Sequence, residues 1–448
     1  MIPGSAARGA KPTRASPFRN RNFRWYWAGG LVSNVGTWLQ NVSGSVYVLA
    51  ETHSTFYVGM LNLATFIPIV LFSMAGGVIA DRYDRRAVVN LTSAVSAVIA
   101  AVITVCATTH TLSPWLLITL TFGIGSSYAI NKPAMIAMLP AVVPDNDISH
   151  ATAINTLQFN IGQVVGSSLS TLLLALTSYS IAFGVNAISF VGPILAMVML
   201  RLPASGHAHA VSRRGSGREG AKFVLRSPVI LPILGAVILS NASVECLRTM
   251  APAVTTRILH ASQSSTGLLV TGFSVGATVG VLCFGLTSKH VAGHLLLVTA
   301  FTLQGIGLIG TAFSRVEWVS ALCAVPIGLG FAFNIPILSG ALQRLSPEEF
   351  RGRVMSFFNM AMIGMRPLFS VTAGSLGTFM SPAVVLLLFV AFPVIAIRLA
   401  GMTNRALQRS TAPGDGVPQT APLGPAEAAA ASSMPSSSSA VAKPTSGT

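Results

Sequence analysis

The sequence predicts an all-α protein that crosses a membrane many times, and two observations support this. Charged residues make up only 9% of the 448 residues and hydrophobic residues 52%, with a mean hydropathy of +0.68. A soluble domain carries roughly 25% charged residues. Apolar runs of about 20 residues, long enough to cross a hydrocarbon layer of about 30 Å, recur along the chain. We count twelve such runs and therefore expect twelve transmembrane helices.

The twelve predicted spans fall into two halves of six. They begin near Trp25, Tyr57, Val88, Trp115, Ala151, Ile181, Val229, Thr266, Leu295, Trp318, Met355 and Pro382. We expect a basic N-terminus (residues 1–24), an N-terminal six-helix bundle (25–200), a linker loop (201–227), a C-terminal six-helix bundle (228–402) and a tail (403–448). The tail has almost no large apolar residue to bury, so we expect it to be disordered and cytoplasmic.

Short motifs recur in the two halves, which predicts pseudo-symmetry between the bundles. The Asn131-x-Pro133 pattern of the fourth span matches Asn334-x-Pro336 in the tenth. A second match involves two glycines in the second span and two in the eighth. Gly59 corresponds to Gly267 and Gly77 to Gly285, with the same separation within each span. Parallel half-repeats of this kind are typical of transporters whose substrate site lies near the midplane between the halves.

The net charge of +16 could indicate a nucleic-acid partner, but the distribution of the basic residues argues against one. Of the 28 lysines and arginines, all but five lie in the termini or in alternate loops; the five are Lys132, Arg248, Arg257, Arg315 and Arg366. This bias predicts a multi-pass cell-membrane protein with both termini cytoplasmic. A nucleic-acid protein would need a contiguous basic face, so we expect none.

The loop between the second and third spans carries the most specific motif of the chain. Residues 77–86 read Gly-Val-Ile-Ala-Asp-Arg-Tyr-Asp-Arg-Arg, a G-x-x-x-D-R-x-x-R-R spacing. The motif resembles the signature loop of the major facilitator superfamily, although Asp84 replaces a glycine that is usual there. The resemblance implies a two-bundle transporter fold with a cytoplasmic gate. The gate residues that it implies are Gly77, Asp81, Arg82, Arg85 and Arg86, with Arg351 and Arg353 from the other half.

Further motifs narrow the resemblance to one branch of that superfamily. Residues 18–25, 32–38, 139–144 and 343–355 are similar to the transmembrane secretion effector branch, which includes bacterial enterobactin and macrolide exporters. The resemblance implies export of a small molecule. That branch tends to carry an arginine in the fifth span where this chain has Gln163, so the resemblance does not by itself fix the substrate class or the coupling.

One acidic residue stands inside a predicted span. Of the twelve aspartates and glutamates, only Glu245 does so, and an ionisable residue at this depth costs roughly 2.5–3.5 kcal/mol. Because burial disfavours the ionised form of a carboxylate, Glu245 is our candidate for proton coupling. The alternative is an ion pair with Arg248, three residues on, which would hold Glu245 ionised and inert.

Polar residues in the spans follow helical stripes, which must face protein or water rather than lipid. Either they line a substrate cavity or they form hydrogen bonds between helices. Arg366 carries a permanent charge and is expected to bind an anionic substrate group or to pair with Glu245. The predicted cavity residues are Asn34, Trp38, Asn41, Gln163, Asn241, Arg248, Asn359 and Arg366.

No catalytic motif accompanies these features, so we expect a protein that is not an enzyme. The sequence lacks a phosphate-binding G-x-x-x-x-G-K-[ST] loop, and its histidines show no metal-ligand spacing. We expect no metal or cofactor. The preferred hypothesis is a monomeric, proton-coupled exporter of a drug, siderophore or secondary metabolite, working by alternating access. A facilitator or importer, and a membrane scaffold or sensor without flux, remain open because the residues fix neither direction nor substrate.

Overall fold

The computed structural model describes residues 17–144, 147–200, 223–288 and 290–411, and all regular structure in them is helical. The chain divides into a compact unit up to Met402, which holds the helices below, and a second unit from Thr403. The long helices are α1 (Arg21–Thr52), α2 (Thr55–Arg82), α3 (Arg85–Thr108), α4 (Pro114–Val142), α5 (Ile148–Leu176), α6 (Tyr179–Met199), α7 (Ile230–Ile258), α8 (Gln263–Thr287), α9 (Gly293–Phe313), α10 (Glu317–Leu345), α11 (Phe350–Phe379) and α12 (Pro382–Gly401).

The described residues thus contain twelve long helices, as the apolar runs predicted. Ten of them are long and apolar enough to cross a membrane by length and composition. The other two, α1 and α4, are long enough but more polar, because serine, asparagine and threonine side chains face inward along them. Most of the predicted linker loop and residues 412–448 lie outside the described residues, while helical backbone continues to Thr411, into the predicted tail.

Side-chain caps and prolines set several helix boundaries. The Asp84 carboxylate accepts a hydrogen bond from the Ala87 amide at 2.9 Å and so caps the start of α3. Ser113 caps α4 in the same way. Helix α11 is interrupted at Met365, because Pro367 cannot donate the next helical hydrogen bond. The interruption lies directly beside Arg366, a predicted site residue.

The two halves contact each other through two pseudo-equivalent helix pairs, α2 with α11 and α5 with α8. Glycines allow the close approach in both pairs. A β-carbon on Gly59 would lie 2.6 Å from the Ser370 carbonyl oxygen, and one on Gly267 would lie 2.4 Å from the Ser167 carbonyl oxygen. These are the first members of the repeated glycine pairs, so the sequence repeat corresponds to a repeated packing contact.

The second glycines of those pairs stand in a different environment. Nothing lies within 4 Å of a β-carbon built on Gly77 or on Gly285. Both glycines lie toward the end of the molecule that carries the loop motif, which we call the motif end. The close glycine contacts between the halves therefore lie toward the opposite end, and the two glycines at the motif end make no such contact.

Candidate functional site

A cavity of about 440 Å³ lies within the N-terminal half and extends to α11 of the other half. Ligand sites for small molecules commonly enclose 300–1,000 Å³. Its walls combine aromatic rings, amides and hydroxyl groups; they include Tyr26, Asn34, Trp38, Asn41, Phe66, Ser93, Tyr128, Lys132, Asn155, Gln158, Phe159 and Arg366. This mixture suits an organic molecule with both apolar and polar groups.

Four of the predicted cavity residues line this cavity: Asn34, Trp38, Asn41 and Arg366. The other four lie outside its lining. Gln163 is buried between helices, its Nε2 without a hydrogen-bond partner in the described part of the chain. Asn241 donates to the Val237 carbonyl oxygen of its own helix at 2.9 Å, and Asn359 is exposed.

Arg248, the last of these four, lines a much smaller pocket of about 10 Å³, roughly one water molecule. Trp38 and Asn41 line both this pocket and the cavity. The Arg248 guanidinium carbon lies 4.9 Å from the centre of the Trp38 ring, so Arg248 is next to the cavity wall without lining it.

Glu245 is fully buried beside the cavity and is bound by two arginines. Its Oε1 accepts hydrogen bonds from Arg366 Nε at 2.5 Å and from Arg248 Nη1 at 3.0 Å. Ser370 donates to Oε2 at 3.3 Å. The carboxylate thus joins α7 to the part of α11 that follows the interruption at Met365. With all three groups ionised, the cluster carries one excess positive charge.

Both arginines of this cluster stack on aromatic rings of the N-terminal half. The Arg366 guanidinium carbon lies 4.3 Å from the centre of the Phe66 ring on α2. That of Arg248 lies 4.9 Å from the Trp38 ring on α1 and 5.0 Å from the Phe273 ring on α8. Cation–π contacts are worth about 0.5–2 kcal/mol each, depending on desolvation. The charge cluster of one half is therefore bound to the aromatic surface of the other.

Sequence analysis did not identify the aromatic partners. Phe66 and Phe273 lie in strongly apolar runs, where a phenylalanine usually contributes only to packing. Lys132 is one of the five cations outside the termini and alternate loops, and the sequence alone predicts no role for it, although it lines the cavity. Its position one turn after Tyr128, on a helix with many polar residues, was the available signal.

The loop-motif residues lie at the motif end, where α2 ends and α3 begins. The side chains of Asp81 and Arg82 are exposed, and Arg85 donates to the Ala137 carbonyl oxygen on α4 at 2.8 Å. Arg86 is half-buried, and its Nη2 has no hydrogen-bond partner in the described ranges. Arg351 is exposed, and Arg353 lies 5.3 Å from the Phe350 ring.

The opposite end is closed by contacts between the halves. Arg257 at the end of α7 donates to the backbone carbonyl oxygen of His53 in the N-terminal half at 2.5 Å, and to that of Gly377 in its own half at 3.2 Å. Thr55 donates to the Gly374 carbonyl oxygen at 2.7 Å, in a buried position. The Tyr179 hydroxyl donates to the side chain of Gln263 at 2.5 Å. We call these contacts, together with the glycine contacts of α2 and α8, the distal seam.

Two bundles of six helices, with a cavity that lies in the first and reaches α11 of the second, have the architecture of a membrane transporter of the major facilitator type. Solved structures agree in fold. A point variant of the nucleoside transporter NupG matches with a TM-score of 0.73 at 12% identity, over 86% of this chain and all of that one. An inward-facing, occupied bacterial homologue of the human lysosomal transporter Spinster matches with a TM-score of 0.71 at 12% identity, over 88% of this chain and 98% of that one.

The chain belongs to the transmembrane secretion effector family, whose match covers residues 12–416. Among curated relatives, the enterobactin exporter EntS of Citrobacter koseri is 27% identical over 369 residues, which are 80% of this chain and 86% of that protein. The EntS of Escherichia coli O127:H6 is 26% identical over 368 residues, with the same coverage. The protein is therefore a multi-pass membrane transporter, not an enzyme.

Proposed function

We propose that this protein is a proton-coupled exporter of a small organic molecule, and that Glu245 is the proton-coupling group. The observation that carries the proposal is the position of Glu245. It is the one acidic side chain that is buried among the described residues, and it contacts an arginine that lines the cavity. A group in this place can respond both to protons and to the occupancy of the cavity.

The charge of Glu245 controls how the halves are held together at the level of the cavity. When ionised, the carboxylate orients Arg366 against Phe66 and Arg248 against Trp38. Protonation removes the charge that holds both guanidiniums in place. The two cations then repel each other and leave their aromatic partners, which frees the halves to move. This links proton uptake to the change between the two access states.

The sidedness of the transporter follows from the positive-inside bias of its loops. We propose that both termini and the motif end face the cytoplasm. The described conformation is then inward-facing, with the distal seam closing the external side. A fluorescent fusion after Arg409 should report a cytoplasmic C-terminus, and a phosphatase inserted near His260 should be active outside the cell. An external C-terminus would contradict this orientation.

Support for export comes from the curated relatives, which are enterobactin exporters. We propose that the cargo of this chain is likewise a siderophore, drug or secondary metabolite that leaves the cell. Cells that express the chain should extrude at least one of ethidium, fluorescein and Nile red faster than cells that carry the empty vector. An uncoupler should abolish the difference. Extrusion that is insensitive to the uncoupler would indicate a facilitator instead.

We also propose that Asp81 helps to close the motif end in the outward-facing state. Its exposed carboxylate lies at the C-terminal end of α2 and, in the inward-facing conformation, binds no described residue. Closure would bring it to basic groups of the other half, where an ion pair can form. Asp81→Asn should reduce dye extrusion about tenfold at equal amounts of protein in the membrane.

Asp84→Asn is the matched control for this prediction. It removes the same charge from the same loop, but asparagine can still cap α3 as Asp84 does. Near-normal extrusion is therefore expected of Asp84→Asn. Equal losses in the two variants would show that the loop charge matters in general, and that Asp81 has no specific part in closure.

A further inference from the structure

The cavity wall carries cationic side chains but no acidic one. Among the described residues that line it, the charged groups are Lys132 and Arg366, and no aspartate, glutamate or histidine takes part. Glu245 lies behind the wall and reaches Arg366 from the protein side. A ligand in the cavity therefore meets a positively charged surface.

The two cations differ in how their charge is balanced. Arg366 shares the carboxylate of Glu245, so much of its charge is compensated. Lys132 forms no ion pair with any residue in the described ranges. Within those ranges its ammonium group lies 5.9 Å from the centre of the Tyr128 ring, one turn earlier on α4. Lys132 is half-buried in the interior of a membrane helix, where an uncompensated ammonium group is costly.

The cavity that Lys132 lines also carries neutral polar groups and aromatic rings. The hydroxyl groups of Ser93 and Ser96 on α3 and the amide of Asn155 on α5 line the same cavity. The Trp38, Phe66 and Phe159 rings line it as well, and Trp38 packs edge-on against Phe159 at 5.8 Å between ring centres. Such walls combine polar donors for a charged group with a flat apolar surface for the rest of a ligand.

We propose that Lys132 is the anion-binding residue of this cavity and that the transported substrates are amphipathic organic anions. The carboxylate or sulfonate of the substrate binds the Lys132 ammonium group, and its apolar body packs against the aromatic rings. The inference rests on transport through this cavity, but not on proton coupling by Glu245. An interior-negative membrane favours the exit of an anion, which agrees with the proposed direction.

Binding of three dansyl probes to the full-length chain in maltoside micelles tests the assignment. Dansylglycine is an anion, dansylglycinamide is neutral and dansylcholine is a cation, while all three share one fluorescent body. Dansylglycine should bind the unmodified chain most tightly. Lys132→Met keeps most of the side-chain volume but removes the charge, and it should weaken dansylglycine binding about tenfold or more. Binding of dansylglycinamide should change less than about twofold.

Two further variants complete the design. Lys132→Arg keeps the charge and should retain the preference for dansylglycine. Arg315→Gln removes an exposed positive charge from outside the cavity, and it should leave all three affinities unchanged. Unaltered dansylglycine binding by Lys132→Met, or an equal affinity of the unmodified chain for all three probes, would overturn the assignment. Because no ion gradient is needed, a failure of proton coupling would not affect these results.

Discussion

Glu245→Gln should abolish uncoupler-sensitive dye extrusion. Moving one charge inward across the membrane yields about 2.3 kcal/mol per 100 mV, which is enough for a concentration ratio of about fiftyfold. A glutamine cannot release a proton, so this energy would no longer reach the substrate. Extrusion should be measured in cells with and without an uncoupler. The rate should be divided by the amount of folded transporter, which size-exclusion chromatography of a fluorescent fusion measures.

Two comparisons make the result specific. Glu51→Gln neutralises an exposed acid at the end of α1 and should retain uncoupler-sensitive extrusion. The Glu245→Gln chain should still bind the dye, because Glu245 lies outside the cavity lining. If Glu245→Gln still extrudes dye in an uncoupler-sensitive manner, another group couples transport to protons, and the role proposed for the buried carboxylate is wrong.

The fold could be predicted from the sequence because its determinants are local. The length of the apolar runs predicts the transmembrane helices, and the repeated glycines indicate where the two halves make equivalent contacts. Gly59 and Gly267 show this: each was paired by sequence spacing alone, and each faces a backbone carbonyl oxygen of the opposite half. The polar character of α1 and α4, which weakens their apolar signal, corresponds to their place in the structure, since both helices line the cavity.

The candidate site could be predicted only in part, because it is assembled from distant segments. The spacing of Glu245 and Arg248 allowed their contact to be foreseen, and Arg366 was a named partner of Glu245. Helical stripes show which residues share a face, but they do not show which neighbour that face meets. Gln163 and Asn241 accordingly pack within helix contacts rather than in the cavity wall, and the stacking of Arg366 on Phe66 could not be read from either segment.

The effect of Arg366→Met on stability should change sign with the charge at position 245. In the otherwise unmodified chain the substitution removes the 2.5 Å ion pair with Glu245 and the contact with Phe66, so it should be destabilising. In the Glu245→Gln chain, Arg248 and Arg366 have no anion between them. Removal of one of the two cations should then be stabilising.

The four chains to compare are the unmodified chain, Arg366→Met, Glu245→Gln and the double variant. Their thermal unfolding in micelles gives the coupling free energy between positions 245 and 366, which we expect to be about 2 kcal/mol. Arg315→Met should have the same effect in both backgrounds, because Arg315 is exposed and lies outside the cluster. If Arg366→Met also has equal effects within about 0.5 kcal/mol, the two groups are not coupled. A change of sign would show that neutralising Glu245 leaves two mutually repelling cations. Protonation is proposed to create the same state when it frees the halves to move.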